Sequence, residues 1–427
     1  MQVPKNLIQY VFMSLKFVFS LIAAVLFSLN GFSQISGCTD PQALNYNPEA
    51  TVNDGSCVYP QTSISPEIIV SSLPNAVNET SGLIYWNEGL WTQNDSGNEP
   101  EIYKLDTITG QVSQTIAIED AQNIDWEDLA QDEEFIYIGD FGNNLGNRTD
   151  LKIYRIEKSL IPLSGNGIVP ATAINFSYGD QTTFKKANRN NDYDCESLIA
   201  FGDSLYLFTK NWVNEQSRLY ALPKLSGTYE VFPRDTLAAD GLITGADLIE
   251  DGNEIVLCSY KNYSPFIWLL FDFQGNDFLG GNKRRINFTG MLGTQTEGVS
   301  YTYGKNVFIS SEKTQLISAR LFKLNTAPWT YTISTGNDGQ LPDKEGFLLY
   351  PNPNNGSFRI NLGAQCSNNN FLAELINSSG ERVFTDFCFN QAQCTADFVI
   401  PQLPEGIYML KFYNQEDMYI GKLMIAE

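Results

Sequence analysis

Residues Asn123 to Asn144 read NIDWEDLAQDEEFIYIGDFGNN. An acidic residue opens a short apolar strand, a polar turn of Asp and Glu follows, and a second apolar strand ends in Asp beside Gly and Asn. This is the inner hairpin of a β-propeller blade. The same device recurs around Leu83, Leu129, Leu198, Leu248 and Val299, at intervals of 46, 69, 50 and 51 residues. Such spacing suits four-stranded blades.

Each anchor lies in a first strand (SGLIYW, WEDLA, ESLIAF, ADLIE, EGVSY) and a second strand follows (LWTQND, FIYIGD, LYLFTK, IVLCSY, VFISSE). Third strands read EIYKLD, LKIYRI, SRLYAL, PFIWLLFDF and ARLFKL, and outer strands QVSQTIAI, ATAINFSY, TYEVFP and RRINFTG. The last repeat lacks an outer strand. The run ISPEIIVSSL, residues 64–73, precedes the first blade and is expected to supply it, closing the ring with N-terminal chain. The expectation is an all-β chain with a five-bladed propeller over 62–330, six blades being the alternative if the 69-residue interval hides one.

First and second strands are antiparallel, so the start of one and the end of the next share one end of the blade. Two residues before the anchors stand Ser81, Glu127, Glu196, Ala246 and Glu297; eleven or twelve after stand Asp95, Asp140, Lys210, Tyr260 and Ser311, the last followed by Glu312. Innermost strands line the central channel, which predicts that Asp95, Glu127, Asp140, Glu196, Lys210, Glu297 and Glu312 converge at one mouth as a ligand-binding ring. Converging carboxylates repel, and a bound calcium ion, raised pKa values or hydrogen bonds to loop amides relieve them. Asp95, Glu127, Asp140, Glu196 and Glu297 are the candidate ligands of that ion. The loop DQTTFKKANRNNDYD, residues 180–194, should lie over the same mouth, where Lys185, Lys186 and Arg189, with Arg148, would hold an anionic group or a sugar.

The chain of 427 residues has 27 basic and 49 acidic side chains and no histidine. An excess of this sign repels nucleic acid and anionic membrane surfaces. Without histidine, Ser-His-Asp and Cys-His catalysis and HExxH zinc sites are excluded, and no catalytic residue is assigned.

Residues 1–33 read as a secretory signal: Lys5 and Lys16, the apolar run from Phe17 to Leu29, then Gly31-Phe32-Ser33 before the cut. The apolar run is too short for a transmembrane anchor. Residues 34–61 contain GCTDPQALNYNPEATVNDGSC, too polar to form a core and expected to be closed by a bridge between Cys38 and Cys57. Asp40, Asn45, Asn47, Asn53 and Asp54 there serve either as turn caps or as calcium oxygens, with caps the ordinary use. The segment resembles a small module, GCTDPxAxNYNPxATxxDGSC, of secreted and surface proteins in bacteria that use type IX secretion.

Residues 331–346 make a polar linker, and 347–427 read as an antiparallel β-sandwich, with hairpins set by Asn354-Asn355-Gly356 and Ser378-Ser379-Gly380. This segment resembles the type A sorting domain of type IX secretion through Tyr350-Pro351-Asn352-Pro353, Gly356, Phe358, Gly380, Leu403-Pro404-Glu405-Gly406-Ile407-Tyr408 and Gly421-Lys422. The resemblance implies engagement of the type IX machinery and a final place outside a Gram-negative cell, released or held on its outer-membrane surface. Cys366 falls near both Cys388 and Cys394, and the pairing stays open. The carboxylate ring also resembles, in architecture alone, calcium-dependent propeller hydrolases of the phytase-like and lactonase-like kinds. A binding module for an extracellular glycan, anionic small molecule or protein is the first functional expectation, and a phosphoesterase or esterase of that kind the second.

Overall fold

The computed structural model describes residues 34–330 and, in the C-terminal segment, 348–350, 356–361, 371–377, 382–388, 395–400, 403–413 and 418–425. The signal sequence, the linker and the pairing of Cys366 with Cys388 or Cys394 lie outside the described residues.

Five sheets of four or five strands stand around one axis. Blade I consists of Thr80–Trp86, Gly89–Asn94, Glu101–Leu105 and Val112–Glu119; blade II of Trp126–Gln131, Phe135–Asp140, Lys152–Glu157 and Thr172–Tyr178. Blade III has Asp194–Phe201, Ser204–Lys210, Ser217–Pro223 and Asp235–Leu237; blade IV has Leu242–Leu248, Glu254–Lys261, Ser264–Phe271 and Asn282–Phe288. Blade V takes Thr296–Tyr301, Asn306–Ser311 and Arg320–Asn325 from the end of the ring and Glu67–Val70 from its beginning. Val70 pairs with Leu321 and Ile68 with Phe322, so N-terminal chain does seal the last blade.

Both faces of each inner strand are covered by neighbouring blades, which is why these strands are buried almost without interruption while outer strands alternate. Burial is distributed over five separate apolar cores, one per blade interface. The core between blades I and II gathers Ile84, Trp91 and Ile116 against Trp126, Leu129 and Ile136; the core that closes the ring packs Val70, Leu73, Leu90 and Leu105 against Phe308 and Leu321.

The 69-residue interval contains no sixth blade. It holds the outer strand of blade II, the loop before blade III, and Gly167–Pro170, which lies parallel on the outer strand of blade I as a fifth strand. Blade II is covered in the same way by Gly227–Val231 and blade IV by Thr62–Ile64. This corrects the reading of TYEVFP as the outer strand of blade III. Those residues cover blade II, and Asp235–Leu237 completes blade III. Covering the edges removes unpaired N–H and C=O groups that would otherwise template aggregation.

At the axis the inner strands approach to backbone contact. A Cβ on Gly82 would stand 2.3 Å from the Leu129 nitrogen, one on Gly245 2.1 Å from the Glu297 carbonyl oxygen, and one on Gly298 2.1 Å from that of Ser81. Asp128, fully buried, fastens the centre: its Oδ1 accepts from the Leu129 N–H at 2.9 Å, and its Oδ2 from Leu198 of blade III at 2.9 Å and Ala246 of blade IV at 3.1 Å.

The segment 34–61 rests on the outside of blade IV, with Asn53 Nδ2 donating to Asp272 at 2.8 Å and Arg284 reaching Gln42 at 2.7 Å. The Cys38–Cys57 bridge is present. Its polar side chains cap turns: Asp40, Asn47, Asn53 and Asp54 each accept the N–H two residues on, and Asn45 accepts from Val58. The C-terminal segment forms two antiparallel sheets, of three and four strands, enclosing Phe358, Ile360, Leu375, Phe398, Leu410 and Leu423.

Asp128→Ala orphans two buried amides on different blades, each costing about 1–3 kcal/mol. Denaturant unfolding of this variant is expected to show a loss of about 2–6 kcal/mol, and an unchanged midpoint would remove Asp128 from its place at the centre of the ring.

A candidate cation site at the channel mouth

Every inner strand carries one residue more than its partner immediately before the channel. The ladder slips between Thr80 and Leu83, between Trp126 and Asp128, between Cys195 and Ser197, between Ile243 and Gly245, and between Thr296 and Val299. A β-bulge leaves its extra residue unpaired and re-aims that side chain. The residues so placed are Ser81, Glu127, Glu196, Thr244 and Glu297. In blade IV this corrects Ala246 to Thr244, because Ala246 is the structural counterpart of Leu198: both amides meet Asp128. Ser81 and Thr244 donate to the backbone carbonyls of Glu127 and Thr296 on the next blade. The other three bring carboxylates.

Glu127 belongs to two groups of oxygens. With Asp95 and Asp125 it forms one triad, and with Asp194 and Glu196 another, each with its oxygen atoms within 4.8 Å of one another. Asp95 and Asp125 are half-buried, whereas Glu127, Asp194 and Glu196 are buried, so the first triad is nearer solvent. Gly142 leaves the room they need: a Cβ there would stand 2.1 Å from Glu127 Oε1 and 2.5 Å from Asp125 Oδ2. Among the described residues, no hydrogen-bond donor reaches the Glu127 carboxylate.

Lys210 is the cation buried within this group, its Nζ 2.8 Å from Glu196 Oε2 and held against the rings of Trp212 and Tyr260. Asp194 accepts from Trp212 Nε1 at 2.7 Å and from the Asn143 N–H. Glu312 accepts from Gln295 Nε2. Asp140 is turned to another use. Its Oδ1 takes Arg148 at 2.9 Å and the Asp125 N–H at 3.1 Å, its Oδ2 is buried without a partner, and it joins neither triad. Glu297 also stands outside the triads, close enough to raise the pKa of Glu196 and Glu312. Arg148, fixed between Asp140 and Asp150, does not face the well as a free cation.

The loop 180–194 lies on the mouth, tied to the loop of blade II by Ala187 N–H to Leu145 O and Arg189 N–H to Asn144 O. Arg189 sets its guanidinium 5.1 Å from the centre of the Trp212 ring, and Lys185 and Lys186 are exposed on the same loop.

Seven carboxyl groups thus surround one ammonium. Burial first, then Glu196 and Asp95, push Glu127 well above the usual range. Burial raises Asp125 and Glu297 to about 7 and Glu312 to about 8, with neighbouring acids adding to each. Burial alone would lower Lys210, but Glu196 and its neighbours prevail and hold it charged. The chemical consequence is an oxygen-only donor set, without nitrogen or thiolate, of the kind a hard cation takes. Asp125 and Asp194 are the members that the spacing argument missed. The signal is in the text: IDWED and YDCES each contain an acid two residues before the bulged glutamate, at the same end of the inner strand.

Fold and site together define a β-propeller with an acidic mouth. Residues 348–426 match the family described as a secretion system C-terminal sorting domain. The chain is therefore a type IX secretion cargo, secreted or placed on the cell surface, and no described helix is long and apolar enough to cross a membrane. No curated protein matches the chain. Solved structures similar to it include an exo-β-1,3-galactanase from Phanerochaete chrysosporium, at 11% identity over 88% of this chain and 97% of that one, TM-score 0.38. A glucose dehydrogenase is similar at 9% identity over 60% and 98%, TM-score 0.36, and a nidogen/laminin complex at 15% over 54% and 72%, TM-score 0.32. Likenesses this remote carry no argument about ligand or chemistry.

Carboxyls whose folded pKa exceeds the unfolded value bind more protons in the folded state, so stability falls as pH rises through the folded pKa. Without divalent cations, the melting temperature of the mature chain should fall between pH 5 and pH 8, the window set by Asp125, Glu297 and Glu312. Saturating calcium should flatten that slope by displacing the protons. A slope unaltered by calcium in thermal melts would show that the ion does not enter this cluster.

Proposed function

We propose that this is an exported binding protein whose propeller mouth holds calcium and, through it, an extracellular ligand. The supporting observation is the Glu127 carboxylate, buried, shared by both triads and accepting no hydrogen bond from the described residues. A group so placed is costly unless protonated or coordinated, and calcium draws six to eight oxygens from flexible carboxylate sets. Asp95, Asp125, Glu127, Asp194 and Glu196 are the proposed ligands. Glu297 and Glu312 face the remaining positions, and Lys210 compensates Glu196. The absence of histidine suits a protein that grips rather than turns over. The signal sequence and the GCTDP-type module complete a precursor bound for the cell exterior.

A second reading is a calcium-dependent hydrolase of phosphoesters or esters. It gains from Glu297 and Glu312, which keep protons near neutral pH and so have the character of general acids beside a cation that polarises an oxygen.

Calcium at about a hundredfold its Kd should stabilise the mature chain by about 2.7 kcal/mol. Glu127→Gln is expected to abolish that gain. Melting with calcium and with chelator, beside a panel of phosphoesters and esters, separates the readings. Stabilisation without turnover supports the binding protein, turnover lost in Glu127→Gln and Glu196→Gln supports the hydrolase, and unchanged melting rejects both.

A further inference from the structure

The loops around the well carry exposed apolar side chains. Leu145, Val213, Tyr263 and Leu316 come from the turns after the second strands of blades II to V, and Phe184 and Leu292 from the loops leading into the inner strands of blades III and V. All lie at the end of the propeller where Glu127 and Lys210 lie, because second strands end and first strands begin there. Leu316 is 94% exposed, Leu292 74% and Tyr263 57%. Single exposed apolar residues mean little, but six around one charged well make a patch of the kind that marks an interaction surface.

The rim is already organised. Besides the bonds joining the loops of residues 141–151 and 180–194, Val213 N–H donates to Asp192 at 3.1 Å and Gly293 N–H to the Tyr263 carbonyl at 2.9 Å. Tyr263 is held at φ 58° in a two-residue turn behind Asn262 at φ 50°, a left-handed conformation that is uncommon for a bulky side chain. Its ring lies parallel to that of Tyr260, which contacts Lys210. The two-residue hairpin turn sets this backbone conformation, and it leaves the aromatic ring exposed beside the well.

We infer that the mouth docks an extracellular polypeptide that presents an aspartate or glutamate side chain to the bound calcium while its apolar neighbours bury against the rim. This rests on the proposal that the well holds calcium. Of the six rim side chains only Phe184 and Tyr263 offer a sugar ring a stacking face; the aliphatic majority, Leu145, Val213, Leu292 and Leu316, pack instead against Leu, Ile or Phe of a peptide. Asp95 and Asp125, half-buried on the open side of Glu127, leave the ion's outward positions to an incoming oxygen. Lys185, Lys186 and Arg189 stand exposed on the same rim of a chain with net charge −22, a local complement to an acidic partner.

The probe is a displayed library of random peptides panned on the immobilised mature chain, once with calcium and once with chelator. The expected clones appear with calcium alone and carry Asp or Glu flanked by apolar residues. A synthetic peptide from such a clone should bind Leu292→Asp/Leu316→Asp at least about tenfold more weakly, a change of about 1.4 kcal/mol, while calcium still raises that variant's melting temperature. Peptides that bind equally in chelator, that lack an acid, or that ignore the rim variant would overturn the inference. So would calcium-dependent binding of glycans with no peptide recovered, a result that leaves the calcium reading standing. Loss of the calcium response in the parent chain would instead reject the calcium site itself.

Discussion

Backbone contact at the axis governs this molecule. At Gly82, Gly245 and Gly298 not even one methyl group fits between neighbouring inner strands, and Asp128 ties three blades through amides that have no water to turn to. A ring drawn this tight leaves little room at its centre beyond the Asp128 carboxyl, and the other charged side chains of the inner strands gather toward the end. The β-bulge is the means. By adding one residue just before the axis, it releases Glu127, Glu196 and Glu297 from the ladder and collects them at the mouth.

Concentrating acids in this way works against folding, since each buried carboxyl must shed water or take a proton. Lys210 offsets one of them. Its position is well supported, with Glu196 at 2.8 Å and the Trp212 and Tyr260 rings about it, and Trp212 is in turn oriented by Asp194. Lys210 is thus held from several sides, while the Glu127 carboxylate beside it accepts no hydrogen bond from the described residues and is pushed toward its protonated form. Arginine is absent from that inner set because Arg148 is committed to Asp140 and Asp150.

Much of the architecture was legible because propeller repeats are local. Each hairpin announces itself through its own turn and apolar runs, and the missing outer strand of the last repeat pointed to residues 64–73, where Glu67–Val70 does close blade V. Two features were not legible. A shift of two residues in blade IV preserves strand alternation, so Leu248 and Ala246 read alike until the Asp128 bond distinguishes them. Likewise TYEVFP has the pattern of any outer strand, and only the long-range parallel pairing of Gly227–Val231 with Thr172–Tyr178 assigns it to blade II. In the site, the converging strand ends located most of the acidic group, but Asp140 was diverted by Arg148, eight residues beyond the strand, a contact that depends on how its loop folds back.

The final blade is stitched from Glu67–Val70 and Arg320–Asn325, and both lie upstream of residue 331. Everything that locks the circle is therefore on the same side of the sorting tail. Removal of the chain beyond Thr330 would therefore sever an address label and leave every strand pairing of the five blades in place.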